Sequence, residues 1–167
     1  MTRHEELSEF KAITDELMAL LETLSEAQMN RAPFAGSWSP GQLGEHLLKS
    51  YRLVDLSQVQ RTPAQRPVDE KAALIDGVFL DFTTKYQPPA AIVPSAGAIN
   101  GRALVADLRE ATDAIAAFVS ENDLAFTSPE FETIGFGDLT AQEVVHFWTA
   151  HSKRHVRQLK NILSRLV

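Results

Sequence analysis

Apolar residues recur along this chain with a helical period in several stretches, and no stretch alternates convincingly as a strand would. Leu7, Phe10, Leu17, Leu20, Leu21 and Leu24 fall on one face of a helix predicted over residues 4–29. Glu5, Glu6, Glu9 and Glu16 lie elsewhere on it, and Arg31-Ala-Pro-Phe-Ala-Gly-Ser37 interrupts it. A second helix opens at Ser39-Pro40-Gly41-Gln42, where Ser39 caps, Pro40 takes the first helical position and Gln42 completes a capping box. Its buried stripe is Leu43, Leu47 and Val54, with His46 and Ser50 on the same side and Glu45, Lys49 and Arg52 opposite.

Five prolines between residues 60 and 100 rule out one long helix there. Leu74, Ile75, Val78, Phe79 and Phe82 predict a short amphipathic helix inside that connection. Asn100 caps a third long helix running to about Glu121, with Leu104, Leu108, Ile115, Phe118 and Val119 facing inward. After a second connection, Thr140-Ala-Gln-Glu143 forms another capping box and starts a helix that continues to the C-terminus. Four amphipathic helices, a long irregular middle connection and no strand predict an all-α four-helix bundle. Its 167 residues suit one domain.

Composition narrows the function. The net charge of −6 disfavours nucleic-acid binding, which needs a basic surface. The basic stripe Lys153, Arg154, Arg157 and Lys160 reads as a solvated helix face. No 18-residue apolar run is present and the N-terminus lacks a signal-peptide core, so no membrane association is expected and a cytoplasmic location follows. With no cysteine there is no disulfide, no thiolate metal site and no cysteine nucleophile.

Histidine remains. His151 and His155, spaced i,i+4, fall within the stripe Val144, Trp148, Leu159, Ile162 and Leu166, while His46 lies on the buried side of the second helix. One histidine on an apolar face is most often bonded to a backbone carbonyl. Three are harder to explain that way, because a buried polar group without a partner costs a few kcal/mol. His151 and His155 are one turn apart, so both rings can reach one ion, and His46 can add a third vertex if the two helices are neighbours. His146 falls on the opposite face and His4 precedes the first stripe, so both are predicted to be solvated. Trp38, Phe147 and Trp148 either line a pocket near the site or, as large aromatics more often do, fill the bundle interior.

The segment Trp38-Ser39-Pro40-Gly41-Gln42-Leu43-Gly44-Glu45-His46-Leu47 resembles the W-S-x-x-x-x-x-x-H-L opening of the DinB-like (DinB/YfiT) family. Phe136-Gly-Asp-Leu-Thr140, followed by His151-Ser-Lys-Arg-His155-Val-Arg-Gln158, is similar to that family's final F-G-x-L-T … H-x-x-x-H-x-x-Q block. The resemblance spans essentially the whole chain except residues 60–100. It implies a four-helix bundle, a homodimer, and a divalent ion on His46, His151 and His155, with Gln158 outside the ligand set.

Three neutral imidazoles leave an ion its full charge and an open position, the catalytic rather than the structural pattern. Zinc or nickel suits such nitrogen ligands best, with manganese or iron also compatible. An ion of this kind lowers the pKa of bound water towards ~7 or keeps a bound thiol deprotonated. Some relatives that the resemblance implies are metal-dependent transferases acting with low-molecular-weight thiols. The leading expectation is therefore a thiol S-transferase acting on a small-molecule substrate, with a metal-dependent hydrolase as a near alternative. Glu45 and Glu143 project away from the histidine stripe, so no general base is evident. The contrasting expectation is a non-catalytic metal-binding or stress-response interaction module.

Overall fold

Serine and threonine caps set where most of the helices begin. In the computed structural model, which describes residues 1–166, Thr2, Ser25, Ser39 and Thr140 each accept a bond from the backbone three residues on. The glutamate or glutamine at that third position returns the bond, closing a capping box each time. The helices so begun are α1 (Arg3–Glu22), α2 (Glu26–Met29), α3 (Pro40–Tyr51) and, later in the chain, α6 (Ala141–Arg165). Between them lie α4 (Ala72–Phe79), which has no side-chain cap, and α5 (Gly101–Glu121), capped by Asn100.

The expected single helix over 4–29 is two helices. Ser25 and Gln28 carry the same S-x-x-Q signal as Ser39 and Gln42, and they restart the chain after Thr23. The break turns α2 towards the start of α5, where Asn30 bonds both the carbonyl and the amide of Ile99, and Glu26 accepts from the Gly101 amide.

The long helices α1, α3, α5 and α6 form the bundle, with α5 and α6 each lying between α1 and α3. Their buried stripes meet around Phe10, Leu17, Leu21, Leu43, Leu47, Leu108, Trp148 and Leu159, all at or near zero exposure. Each such side chain contributes about 1.5–3 kcal/mol through burial. Gly44 lets α3 approach α5, since a Cβ there would lie 2.9 Å from a Leu104 methyl.

The two connections are stapled together by a two-residue antiparallel ladder of β1 (Thr62–Pro63) on β2 (Phe126–Thr127). The short helix of the middle connection exists as α4 and packs on α6, but it stops at Phe79. Of the residues assigned to its inner face, Ile75 is buried, whereas Leu74 and Phe82 are exposed. No helix among the described residues is long and apolar enough to cross a membrane.

The first three turns of α6 are buried on every side, because α1, α3 and α4 all pack against this helix. That position governs the chemistry that α6 can carry.

Candidate metal centre

His46 comes from the second turn of α3, and His151 and His155 from adjacent turns of α6. Because α3 and α6 are neighbours, the three rings meet in the bundle interior at 2%, 4% and 8% exposure. Their Nε2 atoms form a nearly equilateral triangle: 3.0 Å from His46 to His151, 3.1 Å from His46 to His155 and 3.1 Å from His151 to His155.

The outer nitrogens have partners of their own. His46 Nδ1 lies 2.8 Å from the Ile92 carbonyl, and His155 Nδ1 lies 2.8 Å from Gln158 Oε1. Both partners accept and do not donate, so both rings carry their hydrogen on Nδ1 and present a lone pair on Nε2. His151 Nδ1 lies 3.1 Å from Ser50 Oγ. Ile92 belongs to the short 3₁₀ turn Ala90–Ile92, which lies against α3, and no helical periodicity points to it.

Burial holds all three rings neutral. The His46 pKa is lowered by desolvation, against the Ile92 bond that favours charge and with Lys49 adding repulsion. His155 is pushed down to about 3 by burial, by His46 and by Arg154, although Gln158 opposes this. His151 lies well below the usual imidazole range, first through burial and then through the neighbouring His155 and His46. Neutral imidazole is the form that binds metal.

The donor set fits a divalent ion. Ring nitrogens ~2.0–2.1 Å from an ion, with sides of 3.0–3.1 Å between them, subtend about 95° at it. That angle falls between octahedral and tetrahedral values, and three ring nitrogens fill fewer positions than either geometry offers. Among the described residues, these three form the cluster able to hold an ion, with ligand atoms within 4.8 Å of one another.

Aromatic rings wall the cluster. Trp38 sits 4.8 Å from the His46 ring and 6.0 Å from His155, Phe147 stacks on His151 at 5.3 Å, and Phe79 meets His151 edge-on at 5.2 Å. Trp38 and Phe147 therefore border the site, while Trp148 is core, with its indole donating to the Ser50 carbonyl at 2.9 Å. The segment that follows Phe79 is tied to α6 by Arg154, whose guanidinium donates to the Asp81 carbonyl at 2.7 Å and to the Thr84 carbonyl. Past its far end, Lys49 donates to the Val93 carbonyl, and Glu45 accepts from the Ser95 amide and hydroxyl.

The expected solvated basic face is largely engaged. Lys153 pairs with Glu9, Lys160 pairs with Glu16, and Arg157 lies over the Phe82 ring. Glu45 and Glu143 do face away from the histidines. Glu143 is buried against Arg66, the Lys71 amide and the Thr140 amide.

His4 is exposed, as predicted, but His146 is not a surface residue. Only 8% exposed, it places Nδ1 at 3.0 Å from Glu6 and Nε2 at 2.8 Å from Asp76. Glu6, expected on the polar side of α1, is fully buried. The helical wheel correctly sets His146 opposite His155, but that opposite face meets α1 and α4 rather than water. A signal is present: between Glu143 and Lys153 the sequence has no Asp, Glu, Lys or Arg on any face, the pattern of a helix buried all round.

A family model described as the DinB superfamily matches residues 9–159. The uncharacterized protein YuaE of Bacillus subtilis (strain 168) is 26% identical over 149 residues, covering 87% of this chain and 90% of YuaE. A solved structure of Bacillus subtilis YfiT, described as a probable metal-dependent hydrolase with an unusual four-helix bundle topology, matches with a TM-score of 0.60. That match has 18% identity and covers 98% of this chain and 87% of YfiT, a likeness of fold.

Proposed function

The chain belongs to the DinB superfamily, and on that footing we propose a divalent-metal-dependent enzyme that joins a low-molecular-weight thiol to an electrophile. His46, His151 and His155 are its ion ligands in this reading, with zinc or nickel the favoured ion. The observation that carries it is the inward convergence of three neutral Nε2 atoms, at least two of them with a lone pair fixed by an acceptor on Nδ1.

When bound, the ion supplies the positive charge that keeps a thiol deprotonated near neutral pH. The chain's own residues do the rest. The Ile92 carbonyl and Gln158 hold the His46 and His155 rings in orientation. Trp38, Phe79 and Phe147 exclude water from the neighbourhood of the reacting sulfur, which strengthens every electrostatic interaction there. One C–S bond forms as the electrophile's bond from that carbon to its leaving group breaks; the thiol proton and the leaving group, which keeps the bonding pair, both pass to solvent. The nucleophile is the co-substrate's own, because the chain has no cysteine.

Hydrolysis at the same centre is the second reading, suggested by the description of YfiT. Both candidate carboxylates are committed elsewhere, Glu45 to Ser95 and Glu143 to Arg66 and two amides. Water held by an ion would lose its proton near pH ~7 without a side-chain base, so the assay below separates the two readings.

Protein purified without nickel resin is analysed for metal, then assayed for conjugation of a model electrophile with a panel of common thiols. One ion per chain with thiol-dependent turnover is the expected result. Metal without turnover on any thiol, but with ester or amide cleavage, favours the hydrolase; metal with neither favours a binding module. His151→Ala and His155→Ala should abolish stoichiometric metal binding, while His4→Ala, at an exposed position, should retain it. Equal loss in all three refutes the ligand assignment.

A further inference from the structure

The three outer nitrogens of the cluster are not equivalent. His46 faces a backbone carbonyl, which cannot donate, and His155 faces the Gln158 carboxamide through its oxygen, so in this arrangement both hydrogens sit on Nδ1. His151 faces Ser50 Oγ, a hydroxyl that can donate or accept. Its ring is therefore free to carry its single hydrogen on either nitrogen.

Without an ion, the inner triangle needs that freedom. His46 Nε2 and His155 Nε2 are two lone pairs 3.1 Å apart, and neither can satisfy the other. His151 Nε2 lies 3.0 and 3.1 Å from them. A hydrogen there is shared by both lone pairs, and the Ser50 hydroxyl then donates to Nδ1. With an ion present all three Nε2 atoms must be bare. The His151 hydrogen must move to Nδ1, and Ser50 must turn from donor to acceptor. No proton is gained or lost by the ring in the exchange.

We propose that Ser50 is a positioning residue whose reversible hydroxyl lets His151 switch tautomer between the metal-free and metal-loaded states. The Ser50 backbone is fixed for this purpose, since its carbonyl accepts the Trp148 indole N–H at 2.9 Å and so locks α3 against α6 at that level. Ser50 is fully buried. The loaded arm of the proposal rests on the ligand assignment above; the metal-free arm does not.

The test is ¹⁵N NMR of the imidazole nitrogens in the full chain, first metal-free and then with one equivalent of zinc. The expected metal-free pattern is Nδ1–H for His46 and His155 and Nε2–H for His151. Zinc should move His151 alone to Nδ1–H. Finding His151 already as Nδ1–H without metal overturns the proposal, as does a His151 that keeps Nε2–H once zinc is bound by the other two rings. If zinc does not bind at all, the ligand assignment fails, and the metal-free spectrum still decides the role of Ser50. In parallel, Ser50→Ala leaves the Nδ1–H form without an acceptor and should weaken zinc binding by about 10–100-fold, with Ser50→Thr restoring it. An alanine variant that binds zinc as tightly as the parent refutes the switch. Should Ser50→Ala fail to fold, the spectra of the unmodified chain decide between the two tautomers on their own.

Discussion

Replacing His146 with alanine should damage stability far more than its place on the bundle's outer wheel would suggest. Its ring joins two carboxylates, and carboxylates accept without donating, so both ring nitrogens carry hydrogen and the ring is an imidazolium. Burial works against that charge. The hydrogen bond to Glu6 and the charges of Glu6 and Asp76 outweigh it, and the His146 pKa is raised. Asp76 is partly exposed and its share is screened by solvent. Glu6 is at zero exposure, and among the described residues its carboxylate has His146 as its hydrogen-bond partner. Breaking a buried pair by removing one member costs about 3–5 kcal/mol, because the survivor keeps its charge without compensation. The Glu6 contact therefore dominates.

Urea unfolding followed by circular dichroism measures the loss. The double variant Glu6→Met/His146→Leu, which removes both partners, should recover most of it. The pH profile gives an independent check. A group whose pKa is higher folded than unfolded stabilises fully below its unfolded value of about 6.5 and loses that contribution as pH rises through its folded value. The parent chain should thus lose stability above about pH 6.5 with a slope of at most ~1.4 kcal/mol per pH unit, and His146→Ala should lack this component. A loss under ~1 kcal/mol, or a double variant no more stable than the single one, would refute the buried-pair account.

Gln158→Ala removes the acceptor that fixes the His155 ring and should weaken metal binding by about 10–100-fold while the fold persists; unchanged affinity in a chelator competition would count against it. Arg154→Ala frees the segment after α4 from α6, so limited proteolysis and amide exchange should rise within residues 80–91 while the global unfolding midpoint moves little. Exchange in that segment identical to the parent would show that other contacts hold it. Ser25→Ala removes the cap that restarts the chain at α2 and should cost about 1 kcal/mol in urea unfolding, with no effect on metal stoichiometry.

Helix starts are legible wherever a capping residue precedes an apolar period, as at Ser39, Asn100 and Thr140. The same signal at Ser25 is masked by the continuous leucine stripe that runs through it, since Leu20, Leu21 and Leu24 stay in phase up to the break. The convergence of His46 with His151 and His155 can be read from their shared faces. Its outer partners divide by distance along the chain. Ser50 and Gln158 sit one turn from a histidine on their own helices or faces, and both are visible in the sequence. Ile92 lies in a proline-rich connection where no period exists to be read. His146 escapes such reading because a helical wheel reports relative angle and says nothing of how many neighbours surround the helix. α6 has three, so its polar face is interior as well.

That interior position lets one helix hold histidines in opposite protonation states. His146 and His155 are each 8% exposed, so burial alone would leave both neutral. The two carboxylates around His146 outweigh burial and raise its pKa, while His155 is pushed down to about 3 by burial, with His46 and Arg154 adding to it and Gln158 only partly opposing it. The distinction matters for the proposed centre. A carboxylate on the Nδ1 side of His151 or His155 would favour the imidazolium and close the ring to metal below its raised pKa. It would also offset part of any ion's charge. Serine, a backbone carbonyl and a carboxamide orient the rings without either effect. The two clusters on α6 thus separate the work: the charged one fastens α1 and α4 to the helix, and the neutral one keeps three uncharged imidazoles converging inside the bundle.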